Sequence, residues 1–362
     1  MKKIVALVLA ALMALSLAAC GGAAAAPAAD AKAAESTKTV GLLMPTKEQS
    51  IWSVQGDTLT KAYEAAGWKV LIEFAEDDSA KQAMQIENML TKGVNALVIV
   101  AVDCAALSEV CEKAKAEGVI VIAEDRLIEN TEAVDYYVTF DLVRMGELQG
   151  QYIVDALGLA DGKGPFNLEI FSGSPDDTNA PLFYEGAMNK LQPYLDNGML
   201  VVQSGQVSYQ ETATQGWDGS KAQSRCDNLL SGFYSDKNLD ACLVAADCVT
   251  IGVISSLESM GYGTDEKPFP VTTGQDAELA AVKNIQIGKQ SMTAFLDANA
   301  LAEIIVPVTD ALAEGKDAGA TTSYNNGVKD VPASTYSPFT IDKNNVDHLI
   351  DVGFYTKEEI YG

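Results

Sequence analysis

The chain has 362 residues, a formal net charge of −25 and a single histidine, His348. The excess of acid argues against nucleic acid or an anionic membrane face as a partner. One histidine leaves almost no material for Ser-His-Asp or Cys-His catalysis, or for histidine-based zinc sites. We therefore expect a protein that is not an enzyme and that has neither a metal centre nor a cofactor.

The amino terminus has the pattern of an export signal. Lys2 and Lys3 precede an apolar run from Ile4 to Leu17 that is too short to span a bilayer, and small residues follow it. The sequence Leu17-Ala18-Ala19-Cys20 resembles a bacterial lipobox, which makes residues 1–19 a cleaved signal peptide and Cys20 the lipid-modified first residue. A plain cleaved signal, with Cys20 incidental, is the alternative.

Residues 20–38 are small and polar and lack periodicity, so we expect a lipid anchor followed by a flexible linker. The protein is then extracytoplasmic and held at the cell membrane by Cys20. Five further cysteines lack the even number and tight spacing of a disulfide framework, and we assign them to packing, with one optional pair left open.

From Val40 to Phe140, short apolar runs alternate with segments of helical period. The apolar runs predict five strands: Val40–Met44, Val70–Phe74, Ala96–Val102, Val119–Ala123 and Tyr136–Phe140. Gly67, Gly93 and Gly118 follow the intervening helices, as residues that end a helix often do. This order predicts an α/β fold with a doubly wound parallel sheet.

A second set of βα units begins at Leu168 and extends to about Gln275, with strands near 200–203, 241–245 and 271–273. A helix near 278–286, a strand near 291–295, a helix near 301–313 and a last strand at 338–341 follow. Thr321–Pro332 contains two adjacent asparagines and a glycine, and we interpret it as a loop that crosses between two halves.

Polar side chains follow most of the predicted strands. In open α/β sheets, ligands bind beyond the carboxyl ends of the strands. Capping of the next helix explains each aspartate singly, but it does not explain an arginine, an asparagine and two tryptophans near the same edge. The candidate ligand-binding residues are Lys47 (the weakest), Trp52, Asp103, Asp125, Arg126, Asp177, Asn179, Trp217, Asp247 and Asp276.

This mixture of side chains suits a neutral monosaccharide. Carboxylates, an amide and a guanidinium can bond adjacent hydroxyls, and a tryptophan offers a flat apolar face to a sugar ring. Because carboxylates outnumber cations here, an anionic ligand would be repelled.

Several stretches resemble sugar-binding receptors of the type I periplasmic-binding family, in the branch of xylose receptors and multiple-monosaccharide receptors. The matching stretches are Gln85–Gly93, Asp125–Ile128, Thr139–Asp141, Asp161–Phe166, Gly173–Ala180, Cys226–Leu230, Ile251–Leu257, Gly274–Ala277 and Asn326–Pro332. The resemblance implies two α/β lobes, joined by three crossing segments, that close on a ligand. It places lobe one at 39–140 plus 277–322 and lobe two at 142–274 plus 332–362, with the cleft between them.

The resemblance also implies a monomeric receptor that delivers an aldopentose or aldohexose, such as xylose or galactose, to a membrane ABC permease. A sensory receptor for a chemoreceptor or sensor kinase is the alternative. A glycosidase that uses two cleft carboxylates is a third hypothesis, since paired carboxylates are its requirement. The export signal, and the lack of a helix-turn-helix segment, argue against a transcriptional regulator.

Three positions depart from the family pattern, with Ile51, Glu124 and Leu296 where relatives often have arginine, tyrosine and lysine. The two lost cations leave the identity of the sugar open. Asp236–Asp240 matches the start of a calcium loop, but Ala241 replaces the turn glycine and the final glutamate is missing, so we interpret it as a turn before a strand.

Overall fold

The computed structural model describes residues 38–362. The signal peptide, the lipid modification of Cys20 and the linker up to residue 37, all predicted from the sequence, lie outside the described residues. Within the described part, no helix is both long enough and apolar enough to cross a membrane.

The first sheet has seven strands. They are β1 (Thr39–Met44), β2 (Lys69–Phe74), β3 (Ala96–Ile99), β4 (Ile120–Glu124), β5 (Tyr136–Phe140), β11 (Thr322–Asn325) and β12 (Asp330–Tyr336). Their order is β11-β12-β5-β4-β3-β1-β2, and every neighbouring pair is parallel except β11 with β12. The five strands predicted between Val40 and Phe140 are confirmed.

Helices cover both faces of this sheet. They are α1 (Ser50–Ala65), α2 (Ser79–Thr91), α3 (Ser108–Ala116) and α10 (Ala298–Ala313). α2 and α3 place Ile86 and Cys111 in the core on one face, while α1 and α10 place Leu59 and Ile305 in the core on the other. Gly67, Gly93 and Gly118 have left-handed φ angles between 75° and 87°, as the C-terminal glycines of helices should.

The second sheet has four parallel strands, β6 (Phe166–Phe171), β7 (Leu200–Val201), β8 (Ala241–Val244) and β9 (Val271–Thr272), in the order β7-β6-β8-β9. The helices between Leu142 and Gln286 are α4 (Leu142–Leu157), α5 (Ala180–Asp196), α6 (Tyr209–Thr212), α7 (Gly219–Phe233), α8 (Asp247–Ser259) and α9 (Leu279–Gln286). The tail adds α11 (His348–Asp351) and α12 (Lys357–Tyr361). The predicted doubly wound α/β class is therefore confirmed.

Lobe one was predicted to resume at residue 277, but the chain stays with the second sheet beyond that residue. β10 (Met292–Phe295) lies beside the end of β9, since the Ala294 amide donates to the Gly274 carbonyl at 2.9 Å and the Ser291 amide donates to the Thr272 carbonyl at 3.0 Å. β10 also pairs antiparallel with β13 (Phe339–Asp342). The first sheet is joined again only at α10, so residues 277–296 pack with the second sheet and not with the first.

The predicted crossing loop Thr321–Pro332 is instead a β-hairpin. β11 and β12 pair antiparallel, and β12 also pairs in parallel with β5 at the edge of the first sheet. The asparagine and glycine signals mark the tight turn at Asn326–Lys329, where the Asn326 amide donates to the Lys329 carbonyl at 3.0 Å. The chain crosses toward the second sheet after Tyr336, not before residue 332.

Candidate ligand-binding cleft

A cavity lies where the carboxyl ends of the two sheets face each other. The cavity is lined by Gln49, Trp52, Asp125, Arg126, Asp177, Phe183, Trp217, Ala246, Cys248, Gln275 and Asp276. Six of the ten predicted residues therefore line one cavity.

An ion pair spans this cleft. Arg126, which follows β4 of the first sheet, places its Nε 3.0 Å from Oδ2 of Asp177, which follows β6 of the second sheet. Both side chains are at least nine-tenths buried, and Arg126 Nη1 also donates to the Ala101 carbonyl at 3.0 Å. A buried guanidinium needs such partners, because an unpaired buried charge is strongly destabilising.

Asn179 makes a second connection between the two sheets. It stands at the amino-terminal boundary of α5, yet its side chain makes no capping hydrogen bond. Its Nδ2 instead donates to the main-chain carbonyl of Asp125 at 2.8 Å and to the Asp125 carboxylate at 3.1 Å. The capping alternative therefore does not describe Asn179, which is buried beside the cavity and does not line it.

Two tryptophans border the cavity from opposite sheets. Trp52 lies in the first turn of α1, donates its indole N–H to Gln49 Oε1 at 3.0 Å, and has its ring centroid 5.4 Å from the Arg126 guanidinium carbon. Trp217 donates its indole N–H to Asp177 Oδ2 at 3.2 Å. Both rings are nearly buried and hydrogen-bonded, which fixes their orientation at the wall of the cavity.

Gly173 makes room for the Trp217 ring. A β-carbon at this position would lie 2.1 Å from an indole carbon of Trp217, a distance that real atoms do not tolerate. Gly173, two residues after the end of β6, thus allows the indole ring to approach the backbone closely.

Three of the residues that line the cavity have left-handed backbone angles, which are rare outside glycine. Asp125 has φ 58°, Trp217 has φ 55° and Asp276 has φ 94°. Each such residue costs on the order of 1–3 kcal/mol, and strain of this kind concentrates at binding sites. The strained backbone positions therefore belong to residues whose side chains line the same cavity.

Carboxyl groups outnumber cations at the cavity, and burial shifts their ionisation. Burial raises the pKa of Asp125 to about 8, opposed by Arg126 and reinforced by Asp177 and Asp276. Burial and the nearby Glu278 raise the pKa of Asp276 to about 7. These carboxyls therefore carry protons near neutral pH more often than ordinary aspartates do, so each can donate a hydrogen bond as well as accept one.

Besides Asn179, three predicted contacts lie outside the cavity: Lys47, Asp103 and Asp247. Lys47 is exposed and its Nζ lies 4.7 Å from the Phe74 ring centroid. Asp103 caps a turn, since its Oδ1 accepts from the amides of Ala105 and Ala106 at 2.9 and 3.1 Å.

Asp247 is fully buried beneath the cavity wall. Its carboxylate accepts from Gln290 Nε2 at 2.7 Å, Thr293 Oγ1 at 2.8 Å and the Glu278 amide at 3.0 Å. With three donors already bonded, it holds the ends of β8, β9 and β10 together, and its neighbours Ala246 and Cys248 reach the cavity instead.

Sequence reasoning missed five residues of the lining: Gln49, Phe183, Ala246, Cys248 and Gln275. Gln275 adjoins Asp276 and could have been found from the polar cluster after β9. Phe183 and Ala246 carry no polar signal, and Cys248 had been assigned to packing. The cysteines among residues 38–362 are all free thiols, and the other four are buried as predicted.

The departures from the family pattern lie away from the cavity surface. Ile51 and Leu296 are each 5% exposed and pack in the hydrophobic cores of the two sheets. Glu124 is buried behind the cavity, and its Oε1 accepts from Gln55 Nε2 of α1 at 2.7 Å. It thereby ties the helix that carries Trp52 to the strand that leads to Asp125 and Arg126.

The turn before β8 has a structural role. The Asp240 carboxylate accepts from the Asn167 amide at 2.7 Å, which joins this turn to the start of β6. Between residues 38 and 362, no group of three or more acidic, cysteine or histidine side chains is arranged to hold a metal ion.

The chain belongs to the periplasmic binding protein family, since the family's domain model matches residues 40–317. It is 49% identical over 328 residues to the multiple sugar-binding periplasmic protein SbpA of Azospirillum brasilense, covering 90% of this chain and 92% of that protein. It is 47% identical to the multiple sugar-binding periplasmic receptor ChvE of Rhizobium radiobacter, covering 89% of this chain and 92% of ChvE.

A solved structure is also similar along most of the chain. It is an ABC transporter solute-binding protein of Clostridium phytofermentans with bound β-D-glucose, 42% identical, with a TM-score of 0.85. The match covers 89% of this chain and 100% of that one. The type I periplasmic-binding fold that the sequence motifs indicated is confirmed.

Proposed function

We propose that this protein is an extracytoplasmic receptor that binds a neutral monosaccharide between its two sheets and delivers it to a membrane ABC permease. The observation that carries the proposal is the cavity itself, which combines two oriented tryptophans with Asp125, Arg126 and Asp177. Sugar hydroxyls need donors and acceptors in adjacent positions, and the ring needs a flat apolar surface. The relatives named for sugar binding, and the similar structure that holds β-D-glucose, support the same ligand class.

The proposed mechanism is closure of two lobes on the sugar, with one lobe built on each sheet. In this proposal, the ion pair of Arg126 with Asp177 and the hydrogen bond from Asn179 to Asp125 hold the lobes in their closed arrangement. A sugar drives closure only through contacts that it makes better in the closed form than in the open one. We propose Trp52, Asp125, Arg126, Asp177, Trp217 and Asp276 as the sugar contacts, and Asn179 as a bond that holds the lobes together.

Two further parts of the proposal rest on the sequence. The lipobox-like tetrad at Cys20 supports a lipid anchor that holds a monomeric receptor near its permease. The role is one of binding without catalysis.

Thermal denaturation against a panel of neutral sugars tests the proposal. Saturating D-glucose, D-xylose or D-galactose should raise the melting temperature, because a ligand that binds only the folded state stabilises it. Mannitol, an open-chain polyol without a ring to stack, serves as the control. If no pyranose raises the melting temperature, the receptor does not bind the class of ligand that we propose.

A further inference from the structure

Glu124 is a carboxyl group that the fold buries almost completely. It is the last residue of β4 and is only 1% exposed. Its Oε1 accepts a hydrogen bond from Gln55 Nε2 at 2.7 Å, whereas its Oε2 is buried and has no hydrogen-bond partner among residues 38–362. Because a buried oxygen that is left unbonded costs stability, an apolar side chain would suit this position better if it served packing alone.

The bond between Gln55 and Glu124 joins two walls of the cavity. Gln55 lies on α1, three residues after Trp52, and residues at this spacing share one face of a helix. Glu124 comes directly before Asp125 and Arg126 in the chain. Trp52, Asp125 and Arg126 line the cavity, and the two bonded side chains lie behind this lining. The bond therefore connects the helix that presents an aromatic ring with the strand end that presents two ionisable groups.

The start of α1 is not fixed by a side-chain cap. Gln49, at its amino-terminal boundary, makes no capping hydrogen bond, and its Oε1 instead accepts from the Trp52 indole at 3.0 Å. The other end of the helix is tied to α10, because the Tyr63 hydroxyl lies 2.6 Å from Thr309 Oγ1. The bond to Gln55 supplies a comparable tie one turn after Trp52.

The position of the Trp52 ring matters for its contact with Arg126. The guanidinium carbon lies 5.4 Å from the ring centroid, within the distance at which a cation is attracted to an aromatic face. Resting on the proposed function, we infer that Glu124 is a positioning residue for sugar binding: its bond to Gln55 fixes the Trp52 ring relative to the strand end after β4. Binding sites lose affinity when the residues that support their contacts allow those contacts to move.

Two substitutions at position 124 separate the effect of the bond from that of burial. Burial and the nearby Asp125 raise the pKa of Glu124 well above its usual range, which favours the neutral form and makes glutamine a close substitute. Glu124→Gln keeps an acceptor for Gln55 and should bind D-glucose and D-xylose within about twofold of wild type in calorimetric titration. Glu124→Leu removes the acceptor and should weaken binding by about tenfold or more.

Gln55→Leu breaks the same bond from the side of α1, so it carries the test if Glu124→Leu does not fold. It should weaken sugar binding to a similar degree, and the double variant should bind no more weakly than either single variant, because all three lose one interaction. Gln85→Leu is the matched control. It removes a buried bond of 2.9 Å from α2, on the opposite face of the sheet, to the Phe74 carbonyl. It should lower the melting temperature and leave sugar affinity unchanged.

The fluorescence of Trp52 gives a readout that a loss of stability alone does not change. With Trp68→Phe and Trp217→Phe in place, Trp52 is the one remaining tryptophan of the chain. The emission of the folded, sugar-free protein should shift when Glu124→Leu is added and stay unchanged when Glu124→Gln is added.

Wild-type affinity in both leucine variants would overturn the inference, and so would equal losses in Glu124→Gln and Glu124→Leu. An emission spectrum that Glu124→Leu leaves unchanged would overturn it as well. In each of these cases the proposed function stands, because the wild type still binds sugar. If the wild type binds no sugar, the proposed function is wrong and the inference is wrong with it.

Discussion

Asn179 and Asp125 are hydrogen-bonded across the cleft, although Asn179 follows β6 of the second sheet and Asp125 follows β4 of the first. Asn179 Nδ2 lies 2.8 Å from the Asp125 carbonyl oxygen and 3.1 Å from its carboxylate. The Tyr137 hydroxyl donates to the same Asp125 carbonyl at 2.6 Å. The bond sets the position of the Asp125 carboxyl, so we expect Asn179 to affect sugar binding without itself contacting the sugar.

Asn179→Ala should weaken sugar binding by about 1.5–3 kcal/mol, the scale of hydrogen bonds to charged or buried groups. The loss arises because closure leaves the Asp125 carboxyl without its partner. Calorimetric titration with D-glucose and D-xylose measures it. Asn189→Ala, at an exposed position of the same helix, is the control and should leave the affinity unchanged. Equal affinities for Asn179→Ala and wild type would remove Asn179 from the site.

The three tryptophans permit a spectroscopic test. Trp52 and Trp217 line the cavity, whereas Trp68 lies elsewhere and donates its indole N–H to Asp310 at 2.9 Å. Sugar binding should therefore change the intrinsic fluorescence of the wild type, while Trp68→Phe should retain that change. The double variant Trp52→Phe, Trp217→Phe should lose it. A full fluorescence change in the double variant would place the sugar away from these rings.

Gly173→Ala tests whether the position of the Trp217 ring matters. The added methyl group would lie 2.1 Å from the indole, so the ring must move, at a cost of about 1–3 kcal/mol. We expect sugar affinity to fall by about tenfold or more. Gly232→Ala is the matched control, because a β-carbon there has no atom within 4 Å. An unchanged affinity in Gly173→Ala would show that the ring is not a sugar contact.

The acidic cleft predicts that stability depends on pH. The folded pKa values of Asp125 (about 8) and Asp276 (about 7) lie above the ordinary aspartate value of 3.8. The folded protein therefore binds more protons than the unfolded chain between pH 4 and the raised values, and stability falls as pH rises through this window. The melting temperature without sugar should drop by at least about 4 °C between pH 5 and pH 8, on the scale of about 2–4 °C per kcal/mol.

Asp276→Asn should reduce this pH dependence, since an amide mimics the neutral carboxyl and does not titrate. Asp265→Asn, in an exposed loop, is the control. A melting temperature that rises between pH 5 and pH 8 in the wild type would contradict the ionisation that the structure indicates.

Much of the fold follows from local sequence signals. The apolar runs and helical periods from Val40 to Phe140 predict the parallel strands of the first sheet, because strands buried on both faces need continuous apolar side chains. The segment Thr321–Pro332 was predicted wrongly, since its polar residues suit an exposed edge hairpin as well as a loop. The return to the first sheet was misplaced because β10 is joined to β9 by main-chain bonds, which leave no mark in the side-chain pattern.

The cleft was predictable to the extent that polar side chains follow strands. Asp125, Arg126, Asp177 and Asp276 were found in this way. The same rule selected Asp103 and Asp247, because it cannot distinguish a carboxylate that bonds local donors from one that faces a cavity. Phe183 and Ala246 could not be found from sequence, since only the packing of α5 and α8 brings them to the cavity wall.

The central claim is that a neutral sugar binds in the cleft beside Arg126 and Asp177. Calorimetric titration of three proteins tests this claim most directly: the wild type, Arg126→Ala and the exposed control Arg144→Ala. With D-glucose and D-xylose, at least one sugar should bind the wild type and the control equally. Arg126→Ala should bind that sugar more weakly by about 1.5–3 kcal/mol. Sugar binding that is identical in all three proteins, or absent from all three, would contradict the site described here.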